Sequence, residues 1–370
     1  NGSTKMEDSR GIVTVTPPGR VVRIVSVPDN DIVDFDDCGE LGNLALLAPP
    51  SETSIEEIKA ILEAECHRYR PPENYLAFEM CKSGVNENWR RRLCEWMFEV
   101  TDHYDFDREV VSFAFDYLDR SISLAYGPSS NKRLSKKDYQ LYAVTALYLA
   151  IKVHGEMDSD VEGKRIKLRI SAFQELSRGS FTTETIAAKE IELLTLFRWH
   201  VNPPTCARCI LSFLRILPAW TSTEFGIPRE DLACQIFDVA KYLTELSIFV
   251  SDFSFNYNPS VIAYSAILCA LDYVEEKIKS IPFDIKIRFL SALKKISNKF
   301  CPESKDVRKL QTMLIKLAPK LFTSDGHHQL TRTVSLNEVD PVNSVTGKNS
   351  RSISPIIMGS DAPKSKRQKV

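Results

Sequence analysis

The feature that most constrains the fold is a series of amphipathic helical segments that occurs twice along the chain. Five segments with apolar residues at helical spacing lie between about residues 89 and 199, and five more follow residue 204. Asn202, Pro203 and Pro204 separate the two sets, because proline interrupts a helix. Each set spans about a hundred residues and its third segment is the most apolar, which indicates an internal structural repeat.

The absence of strand patterning sets the fold class. No stretch alternates apolar and polar residues at strand spacing, so the sequence predicts an all-α protein. Its two tandem five-helix repeats follow one further helix, which starts at Ser54 as N-cap with Glu57 three residues later in a capping box. The N-terminal stretch has no helical period and the C-terminal stretch is polar, so we predict a flexible leader and a disordered tail. The predicted organisation is a flexible leader, a first repeat that includes the leading helix, a second repeat and a disordered tail, over residues 1–50, 51–202, 203–321 and 322–370.

The overall composition is that of a globular protein without a marked charge. Hydrophobic residues make up 43% of the chain and charged residues 26%, and the formal net charge is −1. Nucleic acid is therefore not an expected partner. No run approaches the roughly 18 apolar residues of a membrane span, so we expect no membrane association. Nine cysteines without a framework spacing predict reduced thiols in an intracellular protein.

Sequence motifs for catalysis or cofactor binding are absent. The chain contains no Gly-x-Gly-x-x-Gly, Walker A, His-Glu-x-x-His or Gly-x-Ser-x-Gly, so we predict that it is not an enzyme and holds no cofactor. Cys206 and Cys209 form a lone Cys-x-x-Cys, which without a second pair predicts two buried small residues rather than a metal site. The six histidines show no metal-ligand spacing; they are residues 67, 103, 154, 200, 327 and 328.

One charge interrupts the most apolar segment of the first repeat. The stretch "LYAVTALYLAIKV", residues 141–153, is almost entirely apolar except for Lys152. Burying an unpaired ammonium in such a helix would be costly, so a carboxylate partner is expected. Glu190 interrupts the apolar stripe of the fifth segment in the same way. If the third and fifth helices lie side by side, the two charges emerge together on an otherwise apolar surface.

A second pair of opposite charges follows from the same reasoning. Arg90 lies at the start of the first segment and Asp119 near the end of the second, each in an apolar neighbourhood. Either pair can be a structural bridge that orients helices. We favour that role for Arg90 and Asp119. For Lys152 and Glu190 we favour contact with a partner protein, since apolar patches with a few fixed polar groups mark protein–protein sites.

The last residues of the chain carry a short basic cluster. In "PKSKRQKV" the cations Lys364, Lys366, Arg367 and Lys369 follow a polar tail. Such clusters are read by nuclear import receptors, and the alternative is a terminus that only adds solubility. The expected location is the nucleus, and also the cytoplasm.

Four segments together resemble the cyclin box. They are "WRRRLCEWMFEV", "FDYLDRSISL", "YLAIKV" and "AAKEIELLTLFRWHVNPPT", in the order and at spacings compatible with that family, and the resemblance covers about residues 55–318. Within the family, "TLFRWHVNPPT" looks closest to D-type or to plant and algal cyclins. The resemblance implies a regulatory subunit that binds and activates a cyclin-dependent protein kinase in cell-cycle control.

The resemblance also implies roles for single residues. Lys152 and Glu190 match the pair that meets the kinase near its C-helix, and Leu141 matches the leucine behind them. Val153 stands where the family usually has an aromatic residue. Arg90 and Asp119 match an internal bridge.

A substrate-docking groove is implied as well. In the family it binds short Arg-x-Leu motifs of substrates and inhibitors, and its positions here are Trp89, Arg92, Leu93, Trp96, Glu99 and Gln140. Trp89 replaces the usual methionine and Arg92 an aliphatic residue, and a charge in an apolar pocket should weaken the fit for leucine.

The rival to the kinase-activating function is a transcription-associated protein of the same fold, which would predict a basic face or an N-terminal zinc ribbon.

Overall fold

The chain is built from α-helices. The computed structural model describes residues 52–77, 84–127, 130, 132–155, 168–218, 229–277 and 281–322, which all belong to one compact unit, residues 40–370. These residues contain no strand, so the predicted all-α class is confirmed. The α-helices found in them are numbered α1–α12 in chain order and span Glu52–His67, Glu87–His103, Glu109–Tyr126, Lys136–His154, Ile170–Leu176, Thr183–Leu196, Cys206–Leu214, Arg229–Ser247, Ser251–Asn256, Pro259–Lys277, Phe283–Ile296 and Lys305–Leu317; a 3₁₀ turn, Pro319–Leu321, follows.

Side-chain caps fix the starts of four helices in and next to the first repeat. Each cap is a Ser, Thr or Asn whose side-chain oxygen accepts a hydrogen bond from the backbone N–H three residues later. These bonds satisfy donors that the first turn of a helix leaves free. The capping residues are Asn86 for α2, Ser135 for α4, Thr182 for α6 and Thr205 for α7.

Two hydrophobic clusters form the core. In the first, α4 is the central helix, with contacts to α2, α3, α5 and α6. In the second, α10 is central and contacts α7, α8 and α12. Both are the third long helix of their repeat, and neither has a marked polar face, because a helix surrounded on all sides has none. The exact boundary at residue 202 stays a prediction.

The leading helix α1 packs against the second repeat, whereas the sequence analysis placed it with the first repeat. Ile58 and Ile61 of α1 belong to the second cluster. The carboxylate of Glu65, fully buried, accepts hydrogen bonds from the backbone N–H (2.7 Å) and the hydroxyl (2.6 Å) of Ser260 at the start of α10. Apolar spacing indicates which face of α1 is buried, but it contains no information on which distant helix covers that face.

The start of α1 also differs from the expectation. The helix begins at Glu52, so Ser54 lies inside it, is buried, and is not its N-cap. Glu57 accepts hydrogen bonds from Ser212 (3.0 Å) and Arg215 (2.5 Å) near the end of α7. The capping-box interpretation is therefore wrong here, because Glu57 serves a tertiary contact instead.

The described residues of the second repeat form six α-helices, one short helix more than the predicted five. Helix α8 ends at Ser247, and the short helix α9 follows at Ser251–Asn256. Phe253 of α9 joins the second hydrophobic cluster, whereas Phe255 and the nearby Phe249 join the first. This short helix therefore links the two cores.

A cavity of about 110 Å³ lies where the two repeats meet, lined in part by Asp116. The Asp116 side chain is three-quarters buried, and its Oδ2 lies 3.0 Å from Nε of Arg120. Burial raises the pKa of Asp116 to about 6, although Arg120 acts in the opposite direction. An acid whose pKa is raised by folding stabilises the fold at low pH and loses that contribution as the pH rises through the folded value.

We expect Asp116→Asn to stabilise the protein at neutral pH. A shift of the pKa from 3.8 to about 6 corresponds to about 3 kcal/mol, which is the upper limit of the gain. Urea unfolding of both proteins at pH 4 and pH 7.5 measures the difference in unfolding free energy. The gain should shrink towards zero at pH 4, where the aspartate is protonated. A variant that is equally destabilised at both pH values would contradict the prediction.

Candidate functional site

The charged residues of α4 and α6 meet at the surface of the first repeat. Nζ of Lys152 lies 2.7 Å from Oε1 of Glu190. The lysine side chain is 53% exposed, whereas that of the glutamate is 10% exposed. Glu190 lies on the buried stripe of α6 with Ile186 and Leu193, and this places its carboxylate at the packed edge next to α4. The pair therefore has one end fixed in the protein and one end in solvent.

The environment of Lys152 keeps it charged. The hydrogen bond to Glu190 raises its pKa, and partial burial opposes that effect. The ammonium also lies 5.6 Å from the centre of the Tyr148 ring, within the range of a cation–π contact. Its charge is thus permanent near neutral pH, and its position is fixed by two neighbours on α4 and α6.

Exposed apolar side chains flank the ion pair. Val153 follows Lys152 and is 44% exposed, and Ile191 follows Glu190 and is 65% exposed. Leu141, implied as a partner contact, is instead nearly buried at 9%. We call the set Lys152, Val153, Glu190 and Ile191, together with Trp199, the α4–α6 face.

Trp199 is the largest exposed side chain of this face, and the sequence interpretation did not single it out. Its side chain is 71% exposed. It lies in the turn after α6, and its backbone N–H donates to Leu194 O (2.9 Å). Leu194 lies one helical turn after Glu190 on α6. The available signal was a tryptophan just beyond the helix end, where no apolar stripe requires one. Ile191 gave a similar signal as an apolar residue on the polar side of α6.

The turn that carries Trp199 has a strained backbone. Arg198 and Trp199 both adopt the left-handed conformation, with φ of 50° and 64°. Non-glycine residues there cost of order 1–3 kcal/mol each and persist where the surroundings hold them in place. Arg120 supplies one such restraint, because its guanidinium donates to His200 O (3.0 Å) and lies 4.3 Å from the centre of the Phe197 ring.

The second predicted pair lies in the core. Nη2 of Arg90 is 2.7 Å from Oδ2 of Asp119, and both side chains are at most 2% exposed. Arg90 also donates across the repeat junction to Ile248 O (2.5 Å) and to Ser254 Oγ (2.9 Å). The Tyr75 hydroxyl donates to Asp119 Oδ1 (2.8 Å). The pair is thus the centre of a buried network that joins both repeats.

The neighbouring groups of this network keep Arg90 charged and Tyr75 protonated. Burial alone would lower the pKa of Arg90, but the adjacent Asp119 carboxylate more than offsets this and raises it. Burial and the same carboxylate raise the pKa of Tyr75, so its hydroxyl stays protonated and donates. The arrangement has the properties of a structural bridge.

The residues of the implied docking groove divide into buried and exposed members. Trp89, Leu93 and Trp96 are 9%, 4% and 1% exposed. Arg92 and Glu99 are exposed and Gln140 is half-buried. The apolar members therefore offer little free surface to a leucine side chain, and binding of Arg-x-Leu motifs stays a prediction.

The other predictions concern the basic cluster, metal binding and membrane spans. The basic cluster Lys364, Lys366, Arg367 and Lys369 lies outside them, so nuclear import stays a prediction. In the described part of the chain, no group of His, Cys, Asp and Glu side chains is arranged to hold a metal ion. Cys209 is buried and Cys206 half-buried. None of the helices within the described ranges has the length and apolar character of a membrane span.

Comparison with known proteins points to one family. Residues 56–202 match the family model described as "Cyclin, N-terminal domain". Cyclin-A3-2 of Arabidopsis thaliana is 24% identical over 265 residues, which cover 70% of this chain and 63% of that protein. Cyclin-A1 of Mus musculus is 25% identical over 219 residues, covering 59% of this chain and 44% of that protein. The chain thus spans between 44% and 63% of the length of these two relatives.

A solved structure of a viral cyclin from herpesvirus saimiri is also similar, at 15% identity. The match covers 72% of this chain and 96% of the viral protein, with a TM-score of 0.45. The two relatives named above are cyclins A, one from a plant and one from an animal, so the D-type likeness stays a prediction.

Proposed function

Since residues 56–202 match the cyclin N-terminal domain, we propose that this chain binds and activates a cyclin-dependent serine/threonine protein kinase in cell-cycle control. One observation carries the proposal. The Lys152–Glu190 pair, 2.7 Å apart, keeps its lysine half exposed between the exposed apolar side chains of Val153 and Ile191. An ion pair that only joins two helices would not require exposed apolar side chains next to it.

The α4–α6 face has the chemistry of a protein-binding surface. A lysine ammonium has three N–H donors, and the bond to Glu190 uses one of them, so the group can also donate to a backbone carbonyl of a partner. The exposed side chains of Val153 and Ile191, next in sequence to the two charges, and of Trp199 in the turn after α6 supply apolar area on the same two helices. Fixed polar groups within apolar area are the usual composition of the centre of an interface.

The proposed mechanism is a shift of the kinase towards its active conformation. A kinase is active when the Glu of its C-helix meets the Lys that positions ATP. A partner that binds this arrangement more tightly favours it, and converting a mostly inactive kinase into a mostly active one needs about 5 kcal/mol of such preference. The chain itself would contribute no catalytic atom.

The test is reconstitution with purified kinases. We expect the chain to raise peptide phosphorylation by at least one monomeric cyclin-dependent kinase about a hundredfold, with saturation at increasing concentration of the chain. Arg288→Glu, a change at an exposed ion pair on α11 with Asp284, is the control and should activate equally well. Failure to bind or activate any member of the kinase panel would refute the proposal. A salt-sensitive complex with duplex DNA would then favour a transcription-associated role.

A further inference from the structure

His154, the last residue of α4, lies two residues after Lys152 and joins two parts of the α4–α6 face. Its ring stacks on Phe113 of α3, with centroids 3.6 Å apart and an interplanar angle of 7°. The imidazole is half-buried. Its orientation is therefore fixed by an aromatic contact on one side.

The edge of the imidazole reaches the chain beyond α6. Nε2 of His154 lies 2.8 Å from Val201 O, and the hydroxyl of Tyr117 lies 2.5 Å from the same oxygen and 2.9 Å from Nε2. A carbonyl oxygen has two lone pairs and accepts two hydrogen bonds. Because a carbonyl oxygen can only accept, we assign the ring proton of His154 to Nε2. Two donors thus converge on Val201 O.

The bonded carbonyl lies two residues after Trp199. The left-handed residues Arg198 and Trp199 need external restraint, and the restraints after them act on successive backbone groups. Arg120 binds His200 O, His154 and Tyr117 bind Val201 O, and the N–H of Asn202 donates to the Tyr69 hydroxyl (3.3 Å). Of these restraints, only His154 comes from the helix that also carries Lys152.

We propose that His154 is a positioning residue that fixes the Trp199 turn relative to the end of α4, so that Lys152 and Trp199 are presented to the kinase as one rigid surface. The inference rests on the proposed function for the identity of the partner. The positioning itself rests on the convergent bonds at Val201 O and on the stack with Phe113.

The electrostatic surroundings agree with a neutral donor. Burial lowers the pKa of His154, and the nearby Arg208 acts in the same direction against the bond to Val201 O. The ring therefore stays uncharged near pH 7 and keeps a single N–H. The proton on Nε2 is the one that the network uses.

A matched pair of variants separates the hydrogen bond from simple packing. His154→Gln keeps an N–H at about the reach of Nε2, whereas His154→Met has a similar length and no donor. Both lose the aromatic stack equally. A merely structural role predicts that the two variants behave alike. His103→Gln, at the exposed end of α2, is the control for a histidine at a helix terminus.

The first readout needs no kinase. Hydrogen exchange of the amides of residues 199–202 is expected to be about fivefold to tenfold faster in His154→Met than in His154→Gln, the size of one lost hydrogen bond. The concentration of the chain that half-activates the kinase should rise by a similar factor in the methionine variant only. Equal exchange in both variants would overturn the inference, whatever the kinase does. If exchange is faster in His154→Met than in His154→Gln but the wild-type chain activates no kinase, the positioning role of His154 stands and the proposed function fails.

Discussion

Replacing Asp119 with leucine is expected to lower the free energy of unfolding by about 3–5 kcal/mol. The substitution leaves the guanidinium of Arg90 without its anion at a site that is 0% exposed. The hydroxyl of Tyr75 also loses its acceptor. Since small domains have a total stability of only about 5–15 kcal/mol, this is a large fraction. Urea unfolding followed by circular dichroism measures the change.

Two further variants identify the cause of this loss. Arg90→Met combined with Asp119→Leu removes both charges, and we expect it to be less destabilised than Asp119→Leu alone, because no unpaired ion remains. Arg288→Ala breaks an exposed pair on α11 and should change stability by less than about 1 kcal/mol. If the double variant is as unstable as Asp119→Leu alone, shape rather than charge determines the effect.

Reversing the charge of Lys152 is the second large expectation, and it concerns activity. Lys152→Glu should reduce kinase activation about a hundredfold, the loss expected when a charged group at the centre of an interface is left opposite the wrong partner. The fold should survive, because the lysine side chain is 53% exposed. Activation assays, together with the thermal unfolding of the free chain, measure the two effects separately.

The swapped pair distinguishes partner contact from a bridge between helices. Lys152→Glu combined with Glu190→Lys restores attraction between α4 and α6, so the stability of the free chain should recover. Activation should stay low, because the group presented to the partner has the opposite charge. Recovery of activation in the swapped variant would mean that the pair only orients the two helices.

The helices and the interrupting charges could be predicted because both depend on local spacing. The segments of the first repeat correspond to α2–α6, since a continuous apolar stripe at helical spacing determines each of them. Lys152 and Glu190 stood out because each breaks such a stripe. Their contact at 2.7 Å follows from the packing of α4 against α6.

The remaining features could not be predicted because they depend on contacts between distant segments. The partner of α1 and the tertiary role of Glu57 are set by helices more than a hundred residues away, and no spacing rule reports them. The exposure of Ile191 and Trp199 depends on which helix faces remain uncovered after packing. The restraint of the Trp199 turn by His154 requires three segments to be in place.

The docking of α1 onto the second repeat has a consequence for biosynthesis. Among the described helices, α1 leaves the ribosome first, but the surface that receives Ile58 and Ile61 is made from α7, α10 and α11, which begin at Cys206. Closing so long a loop is entropically costly until late contacts offset it. Helix α1 must therefore wait, with its apolar face uncovered, until α7, α10 and α11 have been synthesised, and during that time the nascent chain exposes a surface that favours aggregation.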